Sequence, residues 1–199
     1  MTDVGIDVGG SRKGFHTVAL EGPRVVEGPE RIPDAPSVLA WVERVRPRIV
    51  AVDSPKACAP PGASSRSGER GLAKAICGIR FTPDRATVEG SAYYEWIRCG
   101  LGLFEELEQH PGRRWEAIEV FPTASWTVWF GPRGARSRAS WTRDALGRMN
   151  LRGLPDRRLS QDDRDAIAAA VTACLHAECG TRRFGEIAVP SEPWPAGRE

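Results

Sequence analysis

Ile49-Val-Ala-Val-Asp53-Ser-Pro55 is an unbroken apolar run that ends on a carboxylate and a proline. Four apolar residues without alternation suit a strand covered on both faces, as in a sheet with helices on either side. Val4-Gly-Ile-Asp7-Val-Gly-Gly10 has the same form: a short strand that reaches an acid and stops at a glycine pair. If these two strands lie side by side and parallel, Asp7 and Asp53 come together. Open sheets of this kind gather their ligands at the carboxyl ends of the strands.

The flanking sequence supplies the rest of such a sheet. Phe15–Leu20 and Arg24–Val26 read as two more strands joined through Gly22-Pro23, a meander with the first. Val38, Leu39, Val42 and Val45 form a helical stripe after Pro36-Ser37, and Pro47 closes it. Residues 57–71 are rich in Pro, Gly, Ser and Arg and read as a loop, with a short helix near 69–76. An amphipathic helix over 93–107 buries Trp96, Ile97, Leu101, Leu103, Phe104 and Leu107, and a strand over 115–120 stops at Phe121-Pro122. Ser160 caps a helix over 161–178, whose small apolar centre suits close packing on a sheet. The expectation is an α/β fold: one domain over 1–188, a mixed five-stranded sheet flanked by helices, and a helical insertion at about 56–112 between the fourth and fifth strands. Residues 189–199, with three prolines, are expected to be loosely held.

The chain has 199 residues, 41% hydrophobic and 27% charged, which suits one folded domain. Its net charge of +2 excludes a polycationic binder, so any polyanion must be met by a local patch. Only Lys13, Lys56 and Lys74 are lysines; the other 25 cations are arginines, an excess whose plainer reading is GC-rich coding and whose functional reading is phosphate binding. The N-terminus lacks the basic start and apolar core of a signal peptide, and no apolar run approaches a membrane span. The five cysteines are odd in number and form no CxxC pair, as expected of reduced thiols in the cytoplasm.

The acids fall at telling places. Asp7 lies in the first strand, Asp53 ends the fourth, Glu119 is near the end of the fifth, and Asp162 and Asp165 share one face of the last helix. Clustered carboxylates repel unless a cation lies between them. Hard oxygen donors suit Mg²⁺ or Mn²⁺, and a pair of such ions about 4 Å apart drives phosphodiester hydrolysis. Asp162 and Asp163 also suit a helix cap, the favoured reading for Asp163. Glu119 in an apolar strand needs a partner, because an unpaired buried carboxylate costs several kcal/mol. His16, His110 and His176 are scattered and form no competing ligand set.

Taken in order, Gly5-Ile-Asp-Val-Gly-Gly, Ile49-Val-Ala-Val-Asp-Ser-Pro, Ser67-Gly-Glu-Arg, Tyr94-Glu-Trp-Ile, Ile118-Glu-Val-Phe-Pro-Thr-Ala-Ser-Trp and Asp162-Asp-Arg-Asp-Ala-Ile resemble the ribonuclease H-like superfamily. The nearest likeness is to the RNase H-fold nucleases known as domain-of-unknown-function family 429. The resemblance implies a metal-dependent nuclease with Asp7, Asp53, Glu119 and Asp165 as catalytic acids, Asp162 as a further metal ligand, and DNA or RNA as partner. Asp7-Val-Gly-Gly-Ser-Arg-Lys-Gly14 is also similar to the first phosphate-binding turn of the sugar kinases that share the fold. A degenerate, non-catalytic nucleic-acid binder is the other alternative.

Residues 131–158 hold eight arginines against two aspartates, a local +6. Arg133, Arg136, Arg138 and Arg143, with Arg66 and Arg70, are expected to hold phosphates, and Trp141 to stack on bases. The plainer reading of these arginines is a solvated surface; for Trp126 and Trp129 it is core packing.

Overall fold

The described residues, 1–194 of a computed structural model, form a single sheet with helices on both faces. In chain order the elements are β1 (Asp3–Val8), β2 (Phe15–Glu21), β3 (Arg24–Ile32), α1 (Ala35–Val45), β4 (Ile49–Asp53), α2 (Ser67–Ala75), α3 (Arg85–Glu89), a 3-10 turn (Ala92–Tyr94) and α4 (Glu95–Gln109). There follow β5 (Glu116–Val120), α5 (Pro122–Phe130), α6 (Arg138–Gly147), α7 (Gln161–Ala177), β6 (Thr181–Phe184) and β7 (Ile187–Pro190). The strand order is β3-β2-β1-β4-β5-β7-β6. β1, β4, β5 and β7 run parallel, and β2, β3 and β6 pair antiparallel with their neighbours.

The expected parallel pairing of the first and fourth strands is present, and the helical insertion does lie between β4 and β5. The sheet has seven strands rather than five. The two additional strands are four residues each and meet in a hairpin at Gly185, whose φ of +59° is the left-handed turn geometry glycine favours. Thr181-Arg-Arg-Phe184 carries too little apolar character to announce an edge strand. Val189 and Pro190 belong to β7, and Trp194 meets the Trp129 ring edge-on at 5.7 Å, so the chain is tied down through these positions. Residues 195–199 of the expected loose tail lie outside the described residues.

Strand alternation decides which side chains meet which helix. Val4, Ile6, Val8, Val50 and Val52 pack with α1 and α4 through Val38, Trp41, Leu103 and Phe104. Ile49 and Ala51 face the other way, onto Ala169 and Ala173 of α7. By the same alternation Asp7 and Asp53 face the α7 side. α7 fits there because its side chains are small: Ala166 and Ala168–Ala170 are fully buried. It rests directly on β1 at Gly5, where an added Cβ would lie 2.2 Å from both the Ala166 carbonyl oxygen and the Ala170 nitrogen.

Those are backbone atoms and cannot swing aside. Gly5→Ala is therefore expected to cost about 1–3 kcal/mol through overpacking. Chemical denaturation reads the loss, and a midpoint equal to wild type would show that α7 does not bear on β1 as described.

Candidate functional site

Asp7 and Asp53 are partners in the parallel register of β1 and β4. Both side chains reach the floor of a cleft of about 760 Å³ between the strand ends, the insertion and the first turn of α7. Burial first, then the charges of Asp53, Asp165 and Asp162, hold the Asp7 carboxyl well above its ordinary range. Burial and Asp165 push Asp53 up to about 8, against the pull of Arg138. Asp3, also on β1, lies at the strand's other end, where Arg48 bonds both its oxygens, at 3.1 and 2.5 Å.

α7 brings the other two acids. Asp165 is 2% exposed and is raised by burial, with Arg138 opposing. Its oxygens accept from Arg138 Nη2 at 2.9 Å and from Gln161 Nε2 at 3.1 and 3.0 Å. Asp162 accepts from Lys13 Nζ at 3.2 Å. Asp163 turns away and caps the helix: it exchanges hydrogen bonds with Ser160 and accepts from Arg157 and from the His16 ring. Burial notwithstanding, those donors hold its carboxyl far below the usual range.

The two sets of carboxylates, from the strand ends and from the helix, line one cleft. They are hard oxygen donors, and the mutual repulsion of these buried acids favours a positive charge among them. The donor chemistry therefore fits a divalent cation. Among the described residues no three His, Cys, Asp or Glu side chains already converge as a finished cage. Lys13 and Arg138 neutralise Asp162 and Asp165, so an incoming ion would replace those two partners.

Glu119 also lines this cleft, as expected, but it is held by an arginine. β5 sets Ala117 against Val50, Val52 and Leu103, and alternation places Glu119 on that same face, away from α7. Opposite Val52 in the register, Glu119 is 3% exposed. Both its oxygens accept from Arg66, at 2.7 and 2.5 Å, and one also accepts from the Lys56 N–H at 2.9 Å. Burial still raises its carboxyl, with Arg66 opposing.

The expected phosphate-holding residues divide in the same way. Arg66 is only 12% exposed and is engaged by Glu69 and Glu119, so it is not free to meet a substrate. Arg70 is exposed and bonds Ser65 through its carbonyl and hydroxyl. Arg133 and Arg138 line the cleft, whereas Arg136 folds back on the Pro132 and Arg133 carbonyls. Arg143 is exposed beside a second cavity. Trp141 touches the cleft wall but is 2% exposed and packs in the core with Trp126 and Trp129, so it is not free to stack broadly on a base. The Gly9–Gly14 turn is closed on itself: Gly9 N–H donates to the Gly14 carbonyl, and Lys13 and Gly14 N–H donate to Gly10. Those three groups are not turned to a phosphate.

Sequence reasoning missed Lys13 and Gln161. Gln161 lies four residues before Asp165, a spacing that places both on one helix face.

The pH dependence of the metal-free protein follows from Asp53. Its folded pKa of about 8 stands above the ordinary 3.8, so its contribution to stability is complete below about pH 4 and is lost as pH rises through 8. The melting temperature without metal is expected to fall between pH 5 and pH 8.5, by about 2–4 °C for each kcal/mol lost. Asp53→Asn should flatten that fall. Mg²⁺ should raise the midpoint more at pH 8 than at pH 5, because it competes with protons for the carboxylates. A midpoint that climbs from pH 5 to 8.5 without metal would contradict this. The depressed Asp163 acts with opposite sign and in another window, destabilising only as pH falls below the ordinary carboxylate range.

No protein-family model matches the chain, and no curated protein matches it. Solved structures similar to it include two of RuvC from Thermus thermophilus. One RuvC structure is 22% identical, covers 96% of this chain and 99% of its own, and superposes with a TM-score of 0.45. RuvC in complex with a Holliday junction substrate is 19% identical, covers 92% of this chain and 98% of its own, and has a TM-score of 0.51. The mixed seven-stranded sheet with helices on both faces is thus a RuvC-like ribonuclease H fold.

Proposed function

We propose that this protein is a nuclease that hydrolyses phosphodiester bonds in DNA or RNA with Mg²⁺ or Mn²⁺ held by Asp7, Asp53, Asp165 and Asp162. The observation that carries the reading is the in-register pair Asp7 and Asp53, aimed with the first-turn acids of α7 into one cleft. A divalent ion there would polarise the phosphoryl oxygen and lower the pKa of an attacking water. The chain supplies the rest. Asp7 and Asp53, both raised by burial and neighbouring acids, would lose their protons to hold the ion. Arg138 and Lys13, released from Asp165 and Asp162, come free beside the cleft, and Arg133 on its wall is placed to meet a substrate phosphate. Glu119 acts as a positioning residue, tying Arg66 and the Lys56 backbone to the end of β5 rather than joining the ions.

The cytoplasmic setting expected from the thiols accords with such a substrate. Among the described residues no helix is long and apolar enough to cross a membrane. The RuvC structure with a Holliday junction makes branched DNA the first substrate to try. The test incubates the protein with labelled four-way junctions, single- and double-stranded DNA, RNA and hybrids, with Mg²⁺, Mn²⁺ or chelator. Metal-dependent cleavage of at least one is expected. Binding without turnover under every condition would support the non-catalytic alternative.

A further inference from the structure

Between α6 and the start of α7 lies a second cavity, of about 340 Å³, lined by Arg143, Arg158, Arg164, Ser160 and Gln161, with no carboxylate on its walls. Three guanidinium groups therefore share one small space. The nearest acids in the chain are engaged elsewhere: Asp163 with Arg157 and Asp165 with Arg138. Arg143 and Arg158 are exposed, but Arg164 is only 4% exposed.

Arg164 is held entirely by neutral acceptors. Its Nε donates to Thr142 Oγ1 at 2.8 Å, Nη1 to the Leu159 carbonyl at 2.6 Å and Nη2 to Gln161 Oε1 at 3.0 Å. These bonds fix the direction of the planar fork without cancelling its charge, and a guanidinium has five N–H groups, so two remain. Asp165 and Asp163 favour its positive charge, but each is already paired with another arginine, while burial, Arg143 and Arg158 act against it. An anion in the cavity would meet all three cations at once. The helix N-terminus contributes little hydrogen bonding of its own, because Ser160 and Asp163 close it against each other.

We propose that this cavity binds a backbone phosphate of a nucleic-acid strand, with Arg143, Arg158 and Arg164 as its ligands. The assignment of that phosphate to a nucleic acid rests on the nuclease reading above. Arginine suits it because the planar fork matches phosphate oxygens two at a time. The site is coupled to the cleft through one side chain. Gln161 accepts from Arg164 and Thr142 through its oxygen and donates to the Asp165 carboxylate through its nitrogen. A phosphate on Arg164 thus acts on the same amide that orients Asp165.

The experiment compares the full-length wild type with the double variant Arg143→Ala/Arg158→Ala, both residues being exposed so that the fold is kept. Thermal shift with inorganic phosphate is read first. Fluorescence anisotropy with labelled single-stranded DNA and four-way junctions, in chelator and over a salt series, is read second. Wild type should be stabilised by phosphate and the double variant should not. DNA affinity should fall about tenfold, and the slope of log K against log salt should lessen by about one, because one phosphate is no longer neutralised. Arg164→Lys, which keeps the charge and loses the fork, should fall between the two.

An unchanged phosphate shift with an unchanged salt slope overturns the site. A lost phosphate shift with unaltered DNA binding assigns the cavity to a free phosphate compound and overturns the nucleic-acid assignment. If the arginines govern DNA binding while wild type cuts nothing, the site stands and the nuclease reading falls. If wild type cuts and the double variant binds and cuts as well, the reverse holds.

Discussion

Asp53→Asn and Asp7→Asn are each expected to lower metal-dependent cleavage by at least about a hundredfold. Substituting partners that merely orient metal ligands already costs about 10–100-fold, so removing a ligand's charge costs more. Asparagine keeps the shape of the side chain, so packing between β1, β4 and α7 is retained. The same substitutions remove a like-charge repulsion at the cleft floor, where burial and neighbouring acids already disfavour the anion. Without metal, therefore, the variants should be as stable as wild type or more so at pH 8, even as activity disappears. That opposite movement separates loss of a ligand from loss of the fold. Cleavage rates within about threefold of wild type in both variants would sink the carboxylate mechanism.

The sheet centre and the acid pair were legible because both rest on short-range rules. An unalternating apolar run must be buried on both faces, and Ile49–Val52 is. The chain must stop where such a run meets Asp and Pro, and β4 does. α5 and α6 were not legible. Pro122–Phe130 is apolar almost all round, so it has no helical stripe to detect, and it is a helix because tertiary packing buries Trp126 and Trp129. Arg138–Gly147 reads as a polar surface stretch, yet Trp141, Ala145 and Leu146 of its inner face close over α7.

Glu119 was singled out correctly as an acid in need of a partner, but its face could not be read without the register of β5. A shift of one residue along a strand moves a side chain to the other side of the sheet. Arg66 shows the converse. In sequence it reads as a phosphate-holding arginine in a polar loop; only the fold shows that it is the partner Glu119 requires.

Arg66→Met is expected to be the most destabilising substitution near the cleft. Arg66 joins two carboxylates that are almost wholly buried, Glu69 at 1% exposed and Glu119 at 3%. It binds Glu69 through Nε and its own backbone N–H, both at 3.0 Å, and Glu119 through both terminal nitrogens. Glu69 keeps its bonds from Thr82, and Glu119 keeps the Lys56 N–H. Neither of those donors carries charge, so two buried anions would be left facing each other. Breaking a buried pair from one side costs about 3–5 kcal/mol. The loss should be smaller at acid pH, where Glu119, raised by burial, can be neutral, and larger above neutrality. Urea denaturation at pH 5 and pH 8 measures it, and a loss below about 1 kcal/mol at pH 8 would remove Arg66 from this role. The companion Arg66→Met/Glu69→Gln/Glu119→Gln restores much of the stability if uncompensated charge is the cause, since neutral amides can share the remaining donors. It also tests the place given to Glu119. A positioning residue that acts through Arg66 should cost stability and leave the intrinsic divalent affinity of the cleft unchanged in Glu119→Gln. A true ligand would do the reverse.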